Sequence, residues 1–484
     1  MNGTRSAYQV LKSRHMLFVL LFGVFGVVIG ALSSWEISNP IGLFAGLGFF
    51  FTIILKPSLS LATYLAYIPF HLIVYYKVVI GSNVIVAPVG STFSPLAGLK
   101  DALFLTILTV WFIGLLKGIY GLPKKALPLP LLVFWGLAIV YASISPDWRA
   151  GVWGLRLFIF SISYLVAASL YKHWEKITSS IVKAVLISSI PVLAYGAYVA
   201  ISDPYIGQFT RVEGVPFDVL VRLSVFSGLN TPNVFGMYLS VVILLAIGSL
   251  FLLGLDKLYK IVCFVILPIV ILELFLTFSR RSWLGVLAGL MVMLILTRRY
   301  RVLLYSGISL LVLLFTARLL FPQAMTLMPA HLRTFVQLDS GWNTGRLSEW
   351  SMLLNRVAGH YFLGEGLGVI SAVGETFGIP GSTIGHNYFI ILLVQMGLPG
   401  LLVFTWFLGL NLMQGLKLAK SSVLPGFRGM VVTLLSVIVA LTVESFFGSG
   451  IEGFPFNMYF WTFSGLLMSA GSYHKLAKGT EHGN

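Results

Sequence analysis

Three short stretches of this chain carry side chains whose types and order could do chemistry. The first is Thr277-Phe278-Ser279-Arg280-Arg281-Ser282-Trp283, where adjacent guanidinium groups sit between two apolar runs. Neighbouring cations in such a place are costly unless solvated or paired. They either form an anion clamp or snorkel to a membrane interface beside Trp283. The second is Thr344-Gly345-Arg346-Leu347-Ser348-Glu349-Trp350, which with Met352, Leu353 and Leu354 reads as a short amphipathic helix opening near Arg346. Arg346 is then either a further anion ligand or a solvated residue of a capping turn. The third is Gly385-His386-Asn387-Tyr388, heading the apolar run FIILLVQMG. That run is too short to cross a bilayer before Pro399-Gly400 interrupts it, which predicts a half-helix entering from one face. At the positive end of its dipole a neutral imidazole is favoured, and a neutral imidazole accepts a proton. His386 is therefore a candidate general base; the alternative is an interfacial histidine bonded to water.

Other residues could support these. Asn230-Thr231-Pro232-Asn233 reads as a turn that opens a helix, with Asn233 near its N-cap and Arg222 shortly before it. Glu273 lies one heptad before Arg280 and so falls on roughly the same helix face. An intramembrane carboxylate is a functional candidate by default; here it can equally be the structural partner of a buried cation.

The elements that position these groups must be membrane helices. Of the 484 residues 58% are hydrophobic and 10% charged, whereas soluble domains carry about 25% charged residues. Lipid solvates such a surface but requires every backbone group to be bonded internally, and long unalternating apolar runs select helices over a barrel. Runs of about 17–25 apolar residues predict some fourteen spans, at 16–34, 39–55, 58–76, 101–119, 128–145, 152–171, 179–201, 233–254, 259–279, 282–297, 302–320, 398–416, 429–447 and 456–472. The first follows Arg5, Lys12 and Arg14 and reads as a retained span rather than a cleaved leader. The single cysteine, Cys263, excludes an internal disulfide and a multi-thiolate metal site.

With the N-terminus cytoplasmic, 20 of the 32 basic residues and only three acids fall inside, a charge of +17. The outer side has 12 basic and 12 acidic residues, and Glu273 lies within a span. The net charge of +16 is thus a topology signal, not a nucleic-acid footprint. Beyond Lys100 every outer cation is an arginine: Arg149, Arg156, Arg211, Arg222, Arg280, Arg281, Arg318, Arg333, Arg346 and Arg356. Arginine offers a planar fork that matches phosphate oxygens, although such residues also pair with outer acids. The longer segments, 202–232 and 321–386, face outward, so the chemistry is expected outside.

Taken in order, these motifs resemble the O-antigen ligase and polymerase superfamily. The resemblance rests on Asn230-Thr231-Pro232-Asn233-Val234-Phe235, Ser279-Arg280, Gly345-Arg346 with Trp350, Gly364-Glu365-Gly366-Leu367-Gly368, and His386-Asn387, over about residues 230–420. It implies a metal-independent, cofactor-free glycosyltransferase of the bacterial inner membrane. The fold implied is all-α and GT-C-like, with about 14 transmembrane helices and a large outer loop. The donor implied is a glycan on a polyprenyl pyrophosphate, and the acceptor a hydroxyl of a glycan or lipid-linked glycan. Arg280 and Arg346 would hold the pyrophosphate, Arg281 substituting for or adding to Arg280 and Arg222 in a secondary place. His386 would act on the acceptor, with Asn387, Asn233, Glu349 and Glu273 in support. A chain-length regulator would be a further partner. The expected divisions are N-terminal spans over 1–201, a first outer loop over 202–232, spans with the Ser-Arg motif over 233–320, the large outer loop over 321–397, and C-terminal spans with a cytoplasmic tail over 398–484. Ligases usually show fewer than fourteen spans, which inclines the reading to a polymerase. A transporter is the rival from another class, and a non-catalytic flippase partner or scaffold a third; neither should need His386.

Overall fold

The computed structural model describes residues 59–73, 95–123, 128–202, 232–254, 256–277, 279–298, 308, 341–370, 374, 377–382, 385–421 and 425–481. Arg222 and the expected spans at 16–34, 39–55 and 302–320 lie outside them, apart from residue 308. Among the described residues every regular element is a helix. In order these are α1 (Ser60–Ile73), α2 (Pro95–Leu116), α3 (Leu129–Ser143), α4 (Trp148–Ile159), α5 (Ser163–Ser169), α6 (Trp174–Ser202), α7 (Pro232–Phe251), α8 (Lys257–Thr277), α9 (Arg280–Thr297), α10 (Gly341–Arg356), α11 (Tyr388–Ser421), α12 (Pro425–Ser445) and α13 (Phe456–Glu481). Short 3-10 turns at Phe160–Ile162 and Tyr171–His173 join α4 to α5 and α5 to α6. Seven stretches are long and apolar enough to cross a membrane: Trp148–Ser169, Tyr171–Ala194, Asn233–Phe251, Lys257–Thr277, Arg280–Thr297, Tyr388–Lys420 and Gly426–Ser445. This is an integral membrane protein, with seven candidate spans among the described residues against the fourteen read from the sequence.

The middle of the bundle is α7, α9 and α12, packed on one another. Lipid tails are as apolar as leucine, so helices in a bilayer associate through close packing rather than hydrophobicity. The sequence supplies small residues where the three meet. A methyl group at Gly248 would collide with Thr433, one at Gly289 with Leu244, and one at Gly285 with Glu444. The opposite face of α9 presents Leu284, Leu287, Met291 and Ile295, all exposed at helical spacing. That stripe is the surface a bilayer would solvate.

Polar contacts mark the two ends of the bundle. At one end Lys183 of α6 pairs with Asp256 at 2.9 Å, and Arg428 of α12 donates to the Leu296 carbonyl, which covers the last turn of α9. At the other end lie the first turn of α9, the last turn of α12 and the start of α11, where the candidate site is found.

Helix α11 is broken at Gly397, whose φ of 63° and ψ of −172° only glycine adopts readily. The arm before the break, 388–396, is about 13 Å long, roughly half a hydrocarbon core. This is the short helix expected ahead of Pro399. Backbone from the outer loop fills the break: Leu398 N–H donates to the Tyr361 carbonyl at 2.7 Å. Gly364, also at positive φ, lies where a side chain would strike Gly397.

Candidate functional site

Among the described residues the outer arginines fall into two groups by position. Arg156 of α4 pairs with Asp101 of α2, Arg149 with Asp147 at 2.7 Å, and Arg356 of α10 with Glu365, its Nε lying 2.9 and 2.8 Å from the two carboxylate oxygens. These three answer to the structural role that acids of the outer side allow. Arg280, Arg281 and Arg346 instead converge. Arg346 lies within electrostatic reach of Arg280, and Arg281 within reach of Arg346. Like charges brought together favour an anion, and three guanidinium groups near one another offer it a site.

The turn between α8 and α9 builds the first part. Thr277 Oγ1 accepts the Ser279 N–H at 3.2 Å, and the Ser279 carbonyl accepts the N–H groups of Ser282 and Trp283 at 3.2 and 3.3 Å. Ser279 Oγ donates to Asn233 Oδ1 at 3.2 Å, tying the turn to α7. Asn233 therefore braces the Ser-Arg turn from inside the first turn of α7, which begins at Pro232, one residue before the expected cap. Arg280 and Arg281 are successive residues of one helix and so diverge by about 100°. Arg281 is buried at 8% exposure, its guanidinium lying on Gly448, where a methyl would collide with Nη1. Arg280 is only half-buried. The sequence left these two unresolved; the structure turns one inward and leaves the other at the surface.

Helix α10 carries the second part. It begins at Gly341, five residues ahead of Arg346, so Arg346 lies within the helix rather than at its start. Burial lowers the Arg346 pKa; the attraction of Glu349 opposes that shift and the nearness of Arg280 adds to it. Trp350 meets Phe447 of the α12–α13 loop with ring centroids 6.5 Å apart, which seats α10 on the bundle. Glu349, one turn after Arg346, reaches the third part.

That contact is the most specific in the site. Glu349 Oε1 accepts the His386 backbone N–H at 2.7 Å, and Glu349 Oε2 lies 2.7 Å from His386 Nδ1. A carboxylate only accepts, so Nδ1 carries a proton, and in the neutral imidazole Nε2 is the nitrogen with a free lone pair. Both the position and the tautomer of the imidazole are thus set by one side chain 37 residues away in sequence. Asn387 is the cap of α11: its Oδ1 accepts the N–H groups of Phe389 and Ile390 at 3.0 and 3.2 Å. Tyr388 N–H donates to the Gly448 carbonyl at 3.1 Å, and Phe389 stacks on Phe446 at 4.1 Å.

The glycine-rich stretch is a scaffold. The N–H groups of Glu365, Gly366, Leu367 and Gly368 donate to the Val394 carbonyl, the Gln395 carbonyl, the Tyr141 carbonyl and Gln395 Oε1. Its donors are spent inside the protein, so it braces α11 against α3 rather than cradling an anion. Glu273 also stands apart. Its carboxyl is buried beside Gly196 of α6, and neither oxygen has a hydrogen-bond partner. It is not hydrogen-bonded to Arg280.

The loop between α12 and α13 was not singled out from the sequence, yet it touches every part of the site. Phe446, Phe447 and Gly448 contact α11, α10 and Arg281 as described. Glu444, at the end of α12, approaches Arg281, and Glu452 accepts from Gln395 Nε2 at 3.2 Å. The available signal was a carboxylate in an apolar span flanked by Ser445, Gly448 and Gly450.

Burial pushes the Glu452 carboxyl up to about 7, against the opposing hydrogen bond from Gln395. The folded protein then holds a proton that the unfolded chain releases at the ordinary carboxylate value. Stability from this group is fully present below that value and is lost as pH rises toward about 7. Glu452→Gln is expected to raise the melting temperature in detergent at pH 8 and to change it little at pH 5. Parallel melting curves across that range would contradict the assignment.

Residues 263–405 match the model of the O-antigen ligase family. No curated protein matches the chain. The matched stretch contains Arg280, Arg281, Arg346, Glu349 and His386. Over that stretch, less than a third of the chain, the protein is similar to the O-antigen ligase family, in line with the resemblance read from the motifs.

Proposed function

We propose that the protein is a metal-independent glycosyltransferase that moves a glycan from a polyprenyl pyrophosphate to an acceptor hydroxyl at the outer face of the membrane. The observation that carries this reading is that Glu349, hydrogen-bonded to His386, sits one turn from Arg346, which lies within electrostatic reach of Arg280. An anion-binding group and a base-orienting group sit one helical turn apart on α10. In the reaction the acceptor oxygen attacks the anomeric carbon, and the bond from that carbon to the pyrophosphate oxygen breaks. The electron pair leaves with the pyrophosphate, whose growing charge Arg280 and Arg346 stabilise. His386 Nε2 takes the hydroxyl proton, and Glu349 steadies the imidazolium that results. Arg281 lies behind Arg280, and Arg222 remains a secondary candidate for the same phosphates. Asn233 and Asn387 hold the backbone turns that carry the reacting groups.

In this reading the N- and C-termini are cytoplasmic in a bacterial inner membrane. The basic end of the bundle, with Lys183 and Arg428, faces the cytoplasm. Spans over 1–201, 233–320 and 398–484 surround outer loops over 202–232 and 321–397, in a GT-C-like arrangement of about 14 helices. A polymerase that joins one lipid-linked chain to another, alongside a chain-length regulator, is the first reading. The description of the matched family favours a ligase as the second. Purified protein given a polyprenyl-pyrophosphate oligosaccharide should yield a ladder of products if it is a polymerase. Single addition to a distinct acceptor marks a ligase, and absence of transfer to either acceptor class overturns the proposal.

Glu349→Gln tests the dyad. The variant keeps an acceptor oxygen but loses the charge that steadies the imidazolium. It is expected to lower kcat by at least about tenfold with KM for the donor nearly unchanged. An unchanged kcat would remove Glu349 from the mechanism.

A further inference from the structure

Glu444 has no place in the reaction above, yet it is fully buried at the outer end of α12, directly under the Ser-Arg turn. Its carboxyl accepts from Ser240 Oγ of α7 and from Ser282 Oγ of α9 at 3.4 Å. Ser282 Oγ lies 2.9 Å from Ser279 Oγ, which donates to Asn233 Oδ1. One polar chain therefore runs from Asn233 through Ser279 and Ser282 to Glu444 and Ser240, joining α7, α9 and α12 beneath Arg280 and Arg281. Space has been made for it. A methyl at Gly285 would collide with the Glu444 carboxyl, and one at Gly236 with Ser282.

A carboxylate in such a place is expensive unless it answers a buried cation. The buried cation nearby is Arg281, which lies within electrostatic reach of Glu444, seats its guanidinium on Gly448 and has an Nε with no hydrogen-bond partner. Gly448 lies four residues beyond Glu444. Ser240 and Ser282 each bring a hydroxyl to one of the Glu444 oxygens.

We infer that Glu444 is a positioning residue for the anion clamp: through Ser282 it anchors the first turn of α9, where Arg281 is buried, and so sets where Arg280 meets the donor. This rests on the proposed function and deepens it. The chain Asn233–Ser279–Ser282–Glu444–Ser240 is the device, and Arg281 is its link to the site.

A double-mutant cycle tests the inference, read as transfer from a polyprenyl-pyrophosphate oligosaccharide by purified full-length protein. Glu444→Gln and Arg281→Gln are each expected to lower kcat/KM by about tenfold or more. The double variant should lie within about twofold of Arg281→Gln alone, because Glu444 acts through Arg281. Glu444→Asp, which keeps a carboxyl group, should recover part of the loss. Gly448→Ala provides an independent variant that leaves the polar chain intact, and it should reproduce the Arg281→Gln loss by displacing the guanidinium. If the two losses multiply, or if Glu444→Gln transfers like wild type, the inference is overturned while the proposed function stands. If Glu444→Gln cannot be purified folded, Gly448→Ala decides: wild-type transfer by that variant overturns the inference. Failure of wild-type protein to transfer would instead overturn the reading beneath it.

Discussion

Purified His386→Ala protein is expected to transfer glycan about 10²–10⁴-fold more slowly while still binding the lipid-linked donor. The two readouts should separate because the imidazole and the guanidinium groups do different work. His386 is held by Glu349 through both its backbone N–H and Nδ1, at 2.7 Å each. Fixing Nδ1 as the donor leaves Nε2 to accept a proton from an incoming alcohol. Removing the ring takes away that acceptor but leaves Arg280, Arg281 and Arg346 in place. Donor affinity, measured as polyprenyl-pyrophosphate binding in nanodiscs, should change little. A variant that lost binding and transfer together would make His386 a donor ligand rather than a base. One that kept both would leave the acceptor hydroxyl to ionise unaided.

Arg346→Ala and Arg280→Ala are expected to fail in the other way, with weaker donor binding and a loss of about 10²–10³ in turnover. These two arginines lie within electrostatic reach of each other across the outer loop and the α8–α9 turn, each half-buried. In a site with little water a guanidinium is worth far more to a departing pyrophosphate than it is at an exposed surface. Lysine should not restore function at either position, because an ammonium lacks the planar fork that bridges two phosphate oxygens. Arg149→Ala is the comparison: that residue pairs with Asp147 at the start of α4 and should leave transfer unchanged. Equal losses from Arg149→Ala and Arg346→Ala would mean that general surface charge, not the cluster, attracts the donor.

Much of this was legible in the residues themselves. An apolar chain with 10% charge has to be a bundle of membrane helices, and the described residues are helical throughout their regular elements. The interruption near Pro399 was visible as well, although the break falls at Gly397, where the outer loop supplies the missing backbone partner. Arg280, Arg346 and His386 each sit in a short polar motif at the edge of an apolar run. That edge is where a membrane protein can keep charged groups, so pattern alone could find them.

What pattern could not supply was pairing at a distance. Arg280 and Arg281 are chemically identical neighbours, and only Gly448 and Glu444, more than 160 residues later, decide which one is buried. The partners of the glycine-rich stretch, Tyr141, Val394 and Gln395, lie on other elements and were not legible in its own residues. Glu273 looked like a partner for Arg280 because they would share a helical face, but α8 ends at Thr277 and a new helix opens at Arg280. Glu444 went unnoticed because its partners, Ser240 and Ser282, are ordinary serines in apolar helices.

The central claim is that a diphosphate sits between Arg280 and Arg346, with the sugar it carries next to His386. A structure of the His386→Ala protein in a nanodisc with bound polyprenyl-pyrophosphate oligosaccharide would test it most directly. The account predicts phosphate oxygens within hydrogen-bonding distance of both guanidinium groups, and the anomeric carbon facing the place vacated by the imidazole. A donor bound elsewhere on the protein, with Arg280 and Arg346 both clear of its phosphates, would contradict it.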